Sequence, residues 1–179
     1  MSTVSSFECC GAGTVVQSPG GLIVKVAQNR NDFLHLNEIE IINDQGENVA
    51  LKAKCYSRNI GFGGSPNCLN DGVIGNYPDV CSSHSSWSDP GNFDVCVLDH
   101  YEQIKSIRIY PLVDPERLWL TERLKNLQVE VFAGAVGLDS LETATFYGLL
   151  SSFDLVDVFT KEQTGPSNNS GEHLYVTLR

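Results

Sequence analysis

The sequence predicts an all-β fold built from antiparallel strands packed as a sandwich. Three observations carry this reading. Short apolar runs with a period of two recur along the chain, clusters of Gly, Pro, Asn, Asp and Ser separate them, and no stretch shows a convincing helical period. With 179 residues and 41% hydrophobic content, the chain is long enough to bury a core as one domain, 1–179.

The elements follow in order. "SPGG" at 18–21 reads as a turn and "LIVKV" at 22–26 as a strand. "EIEII" at 38–42 is a second strand, closed by the turn "NDQG" at 43–46. "FDVCVL" at 93–98 and "SIRIY" at 106–110 follow; in the latter Ile107 and Ile109 share a face and Arg108 points away. "LQVEVF" at 127–132 alternates Leu127, Val129 and Val131 with Gln128 and Glu130, as a sheet with one wet face does. "LDSLETATFYGLLSSF" at 138–153 has a loose helical spacing, but its Thr content and Gly148 favour strand or mixed structure. "KEQTGPSNNSGE" at 161–172 reads as a polar loop, and "LYVTL" at 174–178 as the closing strand.

Charge excludes one class of partner. Twelve Lys and Arg against 22 Asp and Glu leave a net charge of -10, with no basic cluster to meet a phosphate backbone, so nucleic acid is not expected. No run approaches the roughly 20 apolar residues of a membrane span. The first residues, "MSTVSSFECCGAG", lack the basic and apolar segments of a secretory signal. A cytoplasmic chain, or one incorporated into a particle such as a virion, is therefore expected, with its six cysteines as free thiols.

One stretch invites a metal reading. In "CSSHSSWSDPGNFDVCVLDH" (81–100), Cys81, His84, Cys96 and His100 have finger-like spacing. Yet Cys96 alternates with Val95 and Val97 in a strand, where four residues span about 13 Å, too far for two ligands on one tetrahedral ion. A core cysteine with an incidental His100 is the preferred reading, without zinc; a Cys81–Cys96 disulfide is an alternative.

Catalytic signatures are missing. There is no nucleophile elbow, no zinc-protease helix and no phosphate loop, and "GFGGS" (61–65) lacks the lysine that reaches a phosphate. The chain is expected to bind rather than to catalyse.

"FLHLNEIEIINDQGENVALKA", "GGSPNCLNDG", "NYPDVCSSH", "DPGNFDVCVLDHYEQIKSIRIYPLVD" and "ERLKNLQVEVF", in that order over residues 22–134, resemble the discoidin-type (coagulation-factor C-type) galactose-binding-like domain and its relatives, the F-type lectins. The resemblance implies an eight-stranded antiparallel β-sandwich with jelly-roll topology, binding ligands in loops at one end. It implies that His84 and Arg123 grip a sugar. Leu112 stands where a second sugar-gripping arginine is expected, and Arg117 is the candidate substitute. Trp87 and Trp119 flank the implied site and could stack on a sugar or a partner. The implied calcium loop offers Asn70, Asp71 and Asn76 as hard oxygen ligands, with Glu172 a candidate from its position near the end.

Two readings follow. One is a lectin-like module binding glycan, with Ca²⁺ as cofactor. The alternative is a structural brick whose loops contact other protein chains in a homo- or hetero-oligomer, such as a minor capsid component of a large virus.

Overall fold

The computed structural model describes residues 21–124, 127–138, 140–155 and 176–178. Nine strands run through them: β1 (Leu22–Gln28), β2 (His35–Asn43), β3 (Lys54–Ser57), β4 (Ser83–His84), β5 (Phe93–Leu98), β6 (Ile104–Pro111), β7 (Leu127–Val136), β8 (Thr145–Leu155) and β9 (Val176–Leu178). They form two antiparallel sheets, one ordered β3-β5-β1-β7-β8 and the other β4-β2-β6-β9. All of the strands expected from alternating runs form. The segment 138–153 resolves into a turn followed by β8, and "NDQG" into a turn closed by Gly46 N donating to Asn43 O (3.1 Å). Of the closing strand, Val176–Leu178 pairs with β6. The polar loop 161–172, with Glu172, lies outside the described residues, as do Cys9 and Cys10.

Alternation decides which side chains meet between the sheets. Val24 of β1 is registered against Cys96 of β5 and Val131 of β7, and all three join one apolar core with Leu36, Ile39 and Ile41 of β2 and Ile107 and Ile109 of β6. The two sheets thus face each other across a shared interior, a sandwich-like arrangement. The opposite face of the five-stranded sheet is also covered. Ile23, Phe93, Val95, Val97 and Phe132 pack there with Leu138, with the partly buried Leu141 and Ala144 of the β7–β8 connection, and with Phe146 of β8. That is why "FDVCVL" is buried at every position. Lys25 survives on this face because its ammonium bonds Glu130 (3.0 Å) and sits 5.2 Å from the Phe146 ring centroid.

The cysteines correct the free-thiol expectation. Cys55 pairs with Cys96 and Cys68 with Cys81. Cys55 and Cys96 stand directly opposite in the β3–β5 ladder, while Cys68 ends up beside Cys81 although neither lies in a strand. Cys96 is fully buried, but as half of a cystine, and neither disulfide is the Cys81–Cys96 pairing. β3 and β4 carry no sequence signal because four and two residues are too few to display alternation.

Candidate functional site

Where β2 begins, β6 ends and the chain leads into β7, an open cleft of about 370 Å³ lies at one end of the two sheets. Its walls include His84, Arg123, Arg117 and Leu112, together with His35, Tyr77, Phe62 and Trp119. Three of the four ligand-binding residues singled out from the sequence therefore line one cavity. The fourth, Trp87, is exposed and does not line it; its carbonyl accepts bonds from Ser85 Oγ (3.1 Å) and Asn92 Nδ2 (2.7 Å).

His84 is held by a strand only two residues long. β4 pairs with β2 so that His84 is registered against His35 and Ser83 against Leu36, which brings the imidazole centroids to 4.0 Å. Gly64 packs against this strand: a Cβ there would come within 2.6 Å of His84 N, so only glycine lets the 61–64 turn approach. The same turn raises Phe62, at φ 50° and 73% exposed, over the His84 ring at 4.8 Å.

Arg123 arrives from the 3-10 helix Leu118–Leu124, which anchors itself by burying Leu120 and Leu124. Gln28, fully buried at the end of β1, donates from Nε2 to the carbonyls of Arg123 (3.2 Å) and Phe33 (3.4 Å) and ties the helix end to the β1–β2 loop. The guanidinium carbon lies 4.9 Å from the Phe33 centroid and 5.4 Å from that of Trp119.

The polar contacts fix the histidine tautomers. An arginine can only donate, so Arg123 Nη1 donates to His35 Nδ1 (3.1 Å) and His84 Nε2 (3.4 Å). The opposite nitrogens then carry the protons. His35 Nε2 donates to Ser82 Oγ (3.1 Å) and His84 Nδ1 to the Ser85 carbonyl (2.6 Å). Burial, with His84, Arg123 and Arg117 nearby, pushes the His35 pKa down to about 3. Burial also lowers that of His84, opposed by the Ser85 carbonyl and assisted by Arg123. Two neutral imidazoles thus cradle one guanidinium.

Leu112, where an arginine was expected, is buried and contributes only apolar wall. Arg117 lines the cleft five residues further on, its Nε donating to Asp114 Oδ2 (2.6 Å) and its guanidinium carbon 5.7 Å from the Tyr77 centroid. His35, Phe62 and Tyr77 were missed by sequence reasoning. His35 sits in an ordinary alternating strand, and only the β2–β4 register reveals its partner.

The zinc-like quartet does not converge: Cys81 borders this cleft, Cys96 is in the interior between the sheets, and both are cystines. The calcium candidates have structural contacts of their own. Asn70 donates its amide to the carbonyls of Ala50 (2.7 Å) and Ala53 (2.9 Å), Asp71 Oδ1 accepts from Val73 N (2.8 Å), and Asn76 forms a backbone bridge with Val113. Among the described residues no group of three or more His, Cys, Asp and Glu side chains is arranged to hold a metal. Glu38 is the addition the structure makes. It is fully buried, its Oε1 accepts from Gly72 N (3.3 Å), and burial, together with the charge and hydrogen bonding of Asp71 beside it, raises its pKa to about 8.

Fold and site together define an all-β protein of two antiparallel sheets with an open cleft, cationic and aromatic, at one end. No protein-family model, curated protein or solved structure matches the chain.

Proposed function

We propose that this protein is a non-catalytic, lectin-like binding module of the discoidin and F-type lectin class, with jelly-roll connectivity, and that the cleft at His84 and Arg123 holds a glycan. The observation that carries the reading is the meeting of His84 and Arg123, both selected by resemblance, and Arg117, the candidate substitute, in one cavity with Trp119, Tyr77 and Phe62. Aromatic rings take the apolar faces of a pyranose, and guanidinium and imidazole groups take its hydroxyls. Arg117 stands in for the arginine absent at Leu112 and supplies forked donors from a different backbone position. Calcium, held at Asn70, Asp71 and Asn76 as the resemblance implies, would brace the loop that leads toward Cys81 and β4. The two disulfides favour maturation in an oxidising setting over a reducing cytosol.

A glycan array probed with the whole chain, with added Ca²⁺ and with chelator, tests this. Binding that falls about tenfold or more in His84→Ala, at unchanged thermal stability, supports the lectin reading. A blank array at high protein density rejects it.

One observation favours the alternative, an assembly component such as a virion protein. β8 is an edge strand carrying exposed Tyr147, Leu149 and Leu150. Concentration-dependent self-association with a blank array would select it.

A further inference from the structure

The charges around the cleft do not balance. The chain carries a net charge of -10, yet the charged side chains lining this cavity are two arginines, Arg117 and Arg123, without a carboxylate among them. The carboxylates behind the wall are already engaged. Asp114 Oδ2 takes Arg117 at 2.6 Å, and Asp32 Oδ2 takes Arg30 Nη2 at 2.7 Å. Asp32 is the counter-charge nearest Arg123, but its Oδ1 lies 3.7 Å from Arg123 Nε and accepts the Phe33 N–H at 2.8 Å instead. Arg123 Nε is buried and has no hydrogen-bond partner among the described residues.

Arg30 and Arg117 each hold a carboxylate closely, Asp32 at 2.7 Å and Asp114 at 2.6 Å, whereas Arg123 reaches Asp32 only at 3.7 Å. The groups that hold Nη1 of Arg123 are neutral imidazoles, which accept hydrogen bonds without supplying negative charge. The arginine charge is lowered in stability first by burial, and Arg117 and Arg30 both oppose it against Asp32 alone. Arg123 is thus a part-buried cation whose ion pair with Asp32 is a long one, 3.7 Å, beside the cleft of an otherwise acidic protein.

The aromatic walls state what would pair with that charge. Trp119 is 60% exposed and Phe62 73%, and both line the cavity, an arrangement suited to the apolar face of a ring and not to a bare inorganic anion. From this geometry we infer that the ligand is an anionic saccharide, a pyranose bearing a carboxylate or a sulfate, whose charge is placed between Arg117 and Arg123 while its ring rests on Trp119 and Phe62. The inference rests on the lectin reading and narrows it to a ligand class. A planar carboxylate matches the guanidinium fork and is the preferred form of the anion.

The test is titration calorimetry of the purified chain with galacturonate and galactose, and with glucuronate and glucose, alongside a sulfated hexose. In each matched pair only the charged group differs. The expected result is that the uronate binds about tenfold or more tightly than its neutral partner, with a preference that shrinks as salt is raised. Arg117→Gln, whose amide can still donate to the buried Asp114, is expected to bring the ratio toward unity in a chain that still melts cooperatively. Binding of the sulfated sugar in preference to the uronates would keep the anionic class and reassign the group. Equal binding of acidic and neutral sugars overturns this inference and leaves the lectin reading standing. No binding of any sugar overturns both.

Discussion

A carboxyl group in the middle of a strand shows how single residues shape this protein's behaviour. Asp94 of β5 is 1% exposed, its Oδ1 accepts from Ser83 Oγ at 3.1 Å, and its Oδ2 has no hydrogen-bond partner. Burial raises its pKa to about 7, partly offset by Ser57 and Ser83. Between the unfolded value of about 3.9 and about 7, the folded chain keeps a proton that the unfolded chain releases. Stability from this group is complete below that window and is lost as pH rises through it. Asp94→Asn cannot ionise. Urea titrations from pH 4 to 7 should therefore show the variant gaining on the wild type by up to about 1.4 kcal/mol per pH unit. A difference independent of pH would place the Asp94 pKa near its ordinary value. The same arithmetic has the opposite sign for His35, whose lowered pKa gives stability that is present above about 6.5 and lost as pH falls toward 3.

The elements around the cleft are short and depend on cross-links and close approach. β4 has two residues, too few to hold His84 by its ladder alone. Two constraints supplement it. Gly64 packs against its backbone, and the Cys68–Cys81 disulfide ties the 3-10 helix Pro66–Leu69 to the residues just before it. Closing a chain of 13 residues removes unfolded-state entropy worth about 3 kcal/mol. Replacing both cysteines by serine should lower the melting temperature accordingly in a calorimetric scan. Affinity for sugar should fall further than this loss of folded population explains, because Cys81, Ser82 and His84 all border the cleft. Undiminished affinity in a folded double variant would show that β4 needs no such brace.

At the scale of the whole molecule, the five-stranded sheet divides the interior into two apolar clusters. Ile39 belongs to the cluster between the sheets, and Phe146 packs against the outer one with Phe93 and Phe132. Ile39→Val and Phe146→Leu should each cost about 1 kcal/mol, and the double variant should lose their sum within about 0.5 kcal/mol, read from urea midpoints at constant slope. A large coupling energy would show that strain passes through the sheet. Period-two alternation made most strands of both sheets legible, because a strand with a buried face must repeat every second residue; β8, the longest, showed no such pattern and was read only as strand or mixed structure. The binding candidates came from elsewhere: His84 and Arg123 from the resemblance, and Arg117 as the substitute for the arginine absent at Leu112. What alternation could not convey is pairing across the chain. That His35 meets His84, that Cys55 meets Cys96 and Cys68 meets Cys81, and that Glu38 is buried near Asp71 depend on registers between segments up to 49 residues apart, as His35 and His84 are (84 − 35). Local residue patterns determine the strands because each strand's periodicity is its own. The cleft, its unbalanced charge and its disulfides were decided only by the tertiary structure, because they arise where separate strands are brought side by side.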